Sequence, residues 1–111
     1  MKSVDFRKAT FAELHASLSG SRERVLAAWR QHGPCTTKEL AARSGIDVLT
    51  VRPRTHDLEA LGFVRLHEVQ PSTTEGTYRA ATPAEALRFF SDQQRLARGE
   101  AVQPELALHG V

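Results

Sequence analysis

The residues best suited to recognition chemistry crowd into one short stretch, where Thr50, Arg52, Arg54 and His56 follow one another within seven positions. A guanidinium offers a planar fork of donors that matches phosphate oxygens or the O6 and N7 of a guanine, and hydroxyl and imidazole groups add single hydrogen bonds. Thr37 and Lys38, upstream, contribute a hydroxyl and an ammonium. Such groups hold anions and base edges; alone they break no bonds. Catalytic and metal-binding patterns are missing around them. None of the five histidines stands in a His-x-x-x-His or Glu-x-x-His pair, and the single cysteine, Cys35, has no ligand neighbours, so no metal or cofactor is expected. His56 and Asp57 are adjacent and would point in different directions on a helix, and no phosphate-cradling glycine loop or nucleophile elbow is present. The chain is therefore expected not to be an enzyme. Cys35 is expected to pack as a small, inert residue.

The elements that must position these residues can be read in order. Thr10 and Glu13 form a capping box, and Phe11, Leu14 and Leu18 then recur at helical spacing up to Ser19-Gly20. Ser21 is the expected cap of a second helix, in which Val25, Leu26 and Trp29 form an inward stripe and His32-Gly33-Pro34 the stop, with Gly33 at C′ and a proline that refuses the helix after it. Thr36 and Glu39 box a third helix, which carries Leu40 and Ala41 inward and ends at Ser44-Gly45; Ile46 plugs the turn. The fourth helix spans 47–61 and contains Pro53, so it either starts late with Thr50 as cap or starts at Asp47 and is kinked. In both cases Val51, Thr55, Leu58 and Gly62 share one side. Residues 63–69 are rich in strand formers, with Val64 and Leu66 alternating against Arg65 and His67; 71–76 is a turn, and 77–81 returns with Tyr78 and Ala80 on one face. Thr82, Pro83 and Glu85 then supply cap, first-turn proline and N3 glutamate for a last helix.

The segment from Thr37 to Val64, through Glu39-Leu40-Ala41, Ser44-Gly45-Ile46, Thr50-Val51, Leu58-Glu59 and Leu61-Gly62-Phe63-Val64, resembles the helix-turn-helix of winged-helix regulators of the MarR or IclR kind. The string from Thr50 to Arg54 is also similar to small winged-helix proteins of phages and prophages. The resemblance extends through the hairpin to about Thr82 and covers less than half of the chain. It implies a mainly α fold with a small β-hairpin, a winged helix-turn-helix with extra helices at both ends. It also implies that the fourth helix enters the major groove of duplex DNA while the third crosses the backbone. Arg52 is then the foremost base-contacting residue. His56 shares its exposed side, and Thr50 bonds a base or a phosphate. Arg54, in phase with the edge of the core, reaches a phosphate only by snorkelling or through a rotation at Pro53. Thr37 and Lys38 suit a phosphate at a helix N-terminus, while Arg65 and Arg79 of the hairpin could grip the neighbouring backbone, although Glu68 and Glu75 flank its tip.

At 111 residues the chain is one domain's worth. It is expected as a single domain over 1–98, with core 21–82, flanking helices 10–19 and 83–98, and a loose tail over 99–111. With no membrane-spanning apolar run and no signal peptide, it is expected in the cytoplasm. Phe6, Phe11, Leu14, Leu87, Phe89 and Phe90 exceed what a minimal winged helix buries, which suggests a homodimer through the last five of them. Charge is the counterweight. Residues 1–35 carry a net +3, 36–82 a net 0 and 83–111 a net −1, which together give the formal +2. The reading segment is thus neutral, and bulk attraction to phosphate is weak. A protein-interaction module is the leading alternative to a small bacterial or phage transcriptional regulator. A phage replication or packaging accessory is the other.

Overall fold

The computed structural model describes residues 10–18, 20–69 and 75–99. Phe6 and the expected tail beyond Gly99 lie outside them. Five helices and one hairpin follow in the order α1 (Phe11–Ala16), α2 (Ser21–His32), α3 (Thr37–Ser44), α4 (Val48–Leu61), β1 (Val64–Val69), β2 (Gly76–Ala80) and α5 (Pro83–Ala97). This is the winged helix-turn-helix plan with an added helix at each end.

Three of the helix starts are true capping boxes. The hydroxyls of Thr10, Thr36 and Thr82 accept the backbone N–H of Glu13, Glu39 and Glu85, each at 3.1 Å, and each glutamate accepts the N–H of its cap in return. Two expected boundaries shift. Helix α1 stops at Ala16 rather than running to Ser19, with the Ser17 hydroxyl donating to the Leu14 carbonyl at 2.6 Å. Helix α2 begins at Ser21, but its cap is Gly20, and no side chain caps it. Gly33 is the C-cap of α2 rather than C′: its backbone is extended, with φ −76° and ψ 165°, and the Gly33–Pro34 peptide is cis. Glycine is needed there for a different reason, since a Cβ would lie 2.8 Å from the Trp29 carbonyl oxygen.

Helix α4 resolves the question around Pro53. Asp47 is the cap, its carboxylate accepting the Leu49 N–H at 2.8 Å, and the helix runs continuously from Val48 to Leu61 with Pro53 inside it. Gly62 ends it in the left-handed region at φ 89°, where the Phe89 ring of α5 lies directly over the space a Cβ would take.

The core gathers around Trp29, Leu40, Leu58, Val25, Val51 and Val64, all essentially solvent-free. One polar group is buried among them. Thr55 Oγ1 accepts the indole N–H of Trp29 at 2.9 Å and so ties α4 to α2. The hairpin is antiparallel, pairing Val64 with Ala80 and Leu66 with Tyr78, with a register shift between Leu66 and Glu68. Cys35 extends the sheet by exchanging backbone hydrogen bonds with Tyr78 at 3.1 and 2.8 Å. The expected strand alternation holds only at its first inward position: Val64 is buried, whereas Leu66 is 48% exposed beside the register shift.

The flanking helices close the same core. Phe11 packs edge-on to Phe90 at 5.6 Å and against Phe63 at 6.1 Å, Leu14 and Phe90 are buried, and Phe89 covers Gly62. Four of the five side chains expected at a dimer surface are thus engaged within the chain, because α1 and α5 bring their aromatic residues together over Phe63. Only Leu87 of the five stands well exposed, joined by Leu96 further along α5.

Candidate functional site

The outer face of α4 follows from its inner one. Val51, Thr55 and Leu58 anchor the helix at spacings of four and three, so at about 100° per residue the opposite side carries Leu49, Pro53, His56 and Ala60. All four are exposed, Leu49 by 79%. Pro53 falls on this outward stripe, and the N–H it lacks is the one that would bond to the Leu49 carbonyl at the free end of the helix. A proline there forfeits a hydrogen bond at the surface rather than in the core. Arg52 and Arg54 lie on opposite shoulders of the stripe.

The Arg52 shoulder faces α3 and the hairpin. Its Nε donates to Thr37 Oγ1 at 3.4 Å and its Nη2 lies 3.9 Å from the Glu75 carboxylate, across a cleft of about 290 Å³ lined also by His56, Glu59 and Tyr78. Thr37, Arg52 and His56 thereby line one cleft. Lys38 is exposed on the first turn of α3. The backbone donors beside it are less available than expected: Glu39 bonds back to the Thr36 N–H at 2.9 Å, which holds its carboxyl below the usual glutamate range, and it pairs with Arg43 at 3.6 Å. The anion that suits this helix start is supplied from within.

The other shoulder faces α2. Arg54 Nε stands 3.0 Å from Asp57 Oδ2, and Arg22 of α2 donates Nε and Nη2 to the same oxygen at 3.2 and 3.1 Å. Thr50 is half-buried on this flank.

The hairpin arginines form a separate group. Arg79 grips Glu85 of α5 through two hydrogen bonds of 2.7 and 2.8 Å, and Arg65 donates to the same carboxylate at 2.8 Å. The Arg79 guanidinium, the Thr82 N–H and then Arg65 hold the Glu85 carboxyl far below the ordinary glutamate value. Arg65 and Arg79 thus lash the hairpin to α5, and the structure does not bring them to α4. Cys35 is 2% exposed, and burial pushes its thiol up, against the pull of Arg43, as expected of an inert residue.

Three participants were missed in the sequence. Leu49 was legible in principle, since it shares the phase of Pro53 and His56 once Asp47 is the cap. Glu75 and Arg22 had no local signal: they approach α4 from 23 and 35 positions away. Among the described residues no group of three or more His, Cys, Asp and Glu side chains is placed to hold a metal ion, and no helix is long and apolar enough to cross a membrane.

The arrangement defines a winged helix-turn-helix whose second motif helix projects between two arginine-bearing shoulders. No protein-family model matches the chain, and no curated protein matches its sequence. Among solved structures it is similar to BpsR of Bordetella bronchiseptica, with a TM-score of 0.51 and 22% identity, over 80% of this chain and 70% of that one. At that identity the likeness is one of fold. The BpsR structure concerns the regulation of that protein's DNA binding by 6-hydroxynicotinic acid.

Proposed function

We propose that the protein binds duplex DNA sequence-specifically through α4, as a small bacterial or phage transcriptional regulator of MarR- or IclR-like plan. The observation that carries this reading is the free face of α4: Leu49, Pro53, His56 and Ala60 outward, with Arg52 and Arg54 on either side. A helix in the major groove meets base edges along its outer face, and long side chains on its shoulders reach either a base edge or the flanking phosphate backbone. His56 and Arg52 would donate to base acceptors, and Leu49 would seat against a thymine methyl. The fold shared with BpsR, whose DNA binding is regulated, adds support. A palindromic operator read by a two-fold dimer belongs to the same proposal, with Leu87 and Leu96 of α5 as the apolar side chains left outside the core.

Selection of preferred sites from a random duplex pool, followed by binding across a salt series, tests it. A selectable site and an affinity that falls with salt are expected; no duplex binding at low salt overturns it. The second reading, a protein-interaction module, has its own observation: the outward stripe is mostly apolar and α4 carries as many acidic as basic residues. Under that reading duplex DNA leaves the amide resonances of 48–61 unmoved.

A further inference from the structure

The two shoulders of α4 are electrostatically unequal. On the hairpin side, Arg52 faces Glu59 and Glu75 across the cleft, a formal −1. On the α2 side, Arg22 and Arg54 converge on one carboxylate, Asp57, which leaves a formal +1. Both guanidiniums there are held in place rather than free: the side chains of Arg22 and Arg54 are 21% and 34% exposed, and Asp57 spans α2 and α4 with Arg22 bonded through both Nε and Nη2. Arg54 Nε is shut off from solvent and, although 3.0 Å from Asp57 Oδ2, makes no hydrogen bond. A single carboxylate oxygen thus serves two cations. The Nη1 group of Arg22 and the Nη groups of Arg54 make no hydrogen bond among the described residues and remain for an acceptor arriving from outside.

A helix in the major groove has a phosphate backbone at each shoulder, and an immobilised guanidinium pair meets a phosphate at less entropic cost than flexible surface arginines do. The hairpin, by contrast, commits Arg65 and Arg79 to Glu85. We propose that Arg22 and Arg54, joined through Asp57, form a phosphodiester-binding site on the α2 side of α4, which provides the backbone contact that the sequence assigned to Arg65 and Arg79. The proposal rests on α4 entering the groove. It makes these two arginines determinants of affinity and register, not of base preference.

The test is fluorescence anisotropy of the full chain with generic and selected duplexes across a salt series, for wild type and for Arg22→Gln, Arg54→Gln, Arg79→Gln and Arg88→Gln. Arg22→Gln and Arg54→Gln are each expected to weaken binding roughly tenfold near 0.1 M salt on every duplex alike, and to lower the slope of log affinity against log salt by about one. Arg79→Gln and Arg88→Gln are expected to leave that slope unchanged. Thermal melts of the same variants establish folding, and Arg22→Lys and Arg54→Lys, which keep the charge, are expected to restore the slope. Wild-type slopes in Arg22→Gln and Arg54→Gln, in a protein that does bind duplex, overturn the site and leave DNA binding standing. Wild type that binds no duplex at low salt overturns the underlying reading as well.

Discussion

At the scale of residues, two buried or half-buried contacts decide more than their size suggests. Thr55 is the one buried polar side chain among the described residues, and its hydroxyl is the acceptor for the indole N–H of Trp29. Thr55→Val keeps the shape and strands that donor in the core, so denaturant unfolding is expected to show a loss of about 1–3 kcal/mol, largely restored in Thr55→Ser. Glu85 is the second. It completes the α5 capping box and receives both hairpin arginines. Because its folded-state value is depressed, its contribution is present above the ordinary glutamate range and is lost as pH falls below it. Glu85→Gln is expected to cost about 1–2 kcal/mol at neutral pH, after allowance for partial exposure, and the gap from wild type should narrow progressively as the pH of the melts is lowered from about 4. The capping role of Glu85 could be read from Thr82-Pro83-Ala84-Glu85, whereas its arginine partners sit on another element and could not.

Among the elements, α4 carries the largest local conflict between propensity and context. Pro53 forgoes a helical hydrogen bond, yet the helix persists because Val51, Thr55 and Leu58 pin its other face to the core. Pro53→Ala is expected to raise stability by about 1–3 kcal/mol in chemical denaturation, with no change in the buried face. If the proline is kept for DNA recognition, the same variant should alter the selected site. At the end of α4, Gly62→Ala combines a left-handed backbone with overlap on the Phe89 ring, and a loss of about 2–4 kcal/mol in Tm-based stability measurements is the expected outcome. Gly62 was recognisable as a helix terminator from Leu61-Gly62; the aromatic ring above it was not.

For the whole molecule, folding creates a division that the neutral charge of 36–82 does not show, with acidic groups on the hairpin side of α4 and, once Arg22 is brought in from α2, a basic excess on the other. Base readout and backbone contact should separate: Arg52→Ala is expected to relax preference at one base position, while Lys38→Ala, at the start of α3, weakens all duplexes alike, as measured by competition against mismatched sites. Assembly state is a second whole-molecule quantity. With Phe11, Leu14, Phe89 and Phe90 packed within the chain, the proposed dimer is assigned to the exposed Leu87 and Leu96 of α5. Sedimentation at roughly tens of micromolar is expected to show a dimer that Leu87→Glu together with Leu96→Glu converts to monomer; a wild-type monomer there removes the two-fold proposal.

Local signals told the helices, the hairpin and their order, because caps, turn glycines and hydrophobic period act within a few residues of chain. Thr36-Thr37-Lys38-Glu39 and Thr82-Pro83-Ala84-Glu85 start helices here through hydrogen bonds that span only three residues. Tertiary structure alone decided which groups those elements present together. The aromatic residues of α1 and α5 turned inward because each found Phe63 or Gly62 to cover, and hydrophobic burial is indifferent to sequence distance. The arginines were divided among Glu75, Asp57 and Glu85 for the same reason: Coulombic attraction depends on separation in space, and Arg22 meets Asp57 only after α2 has packed on α4.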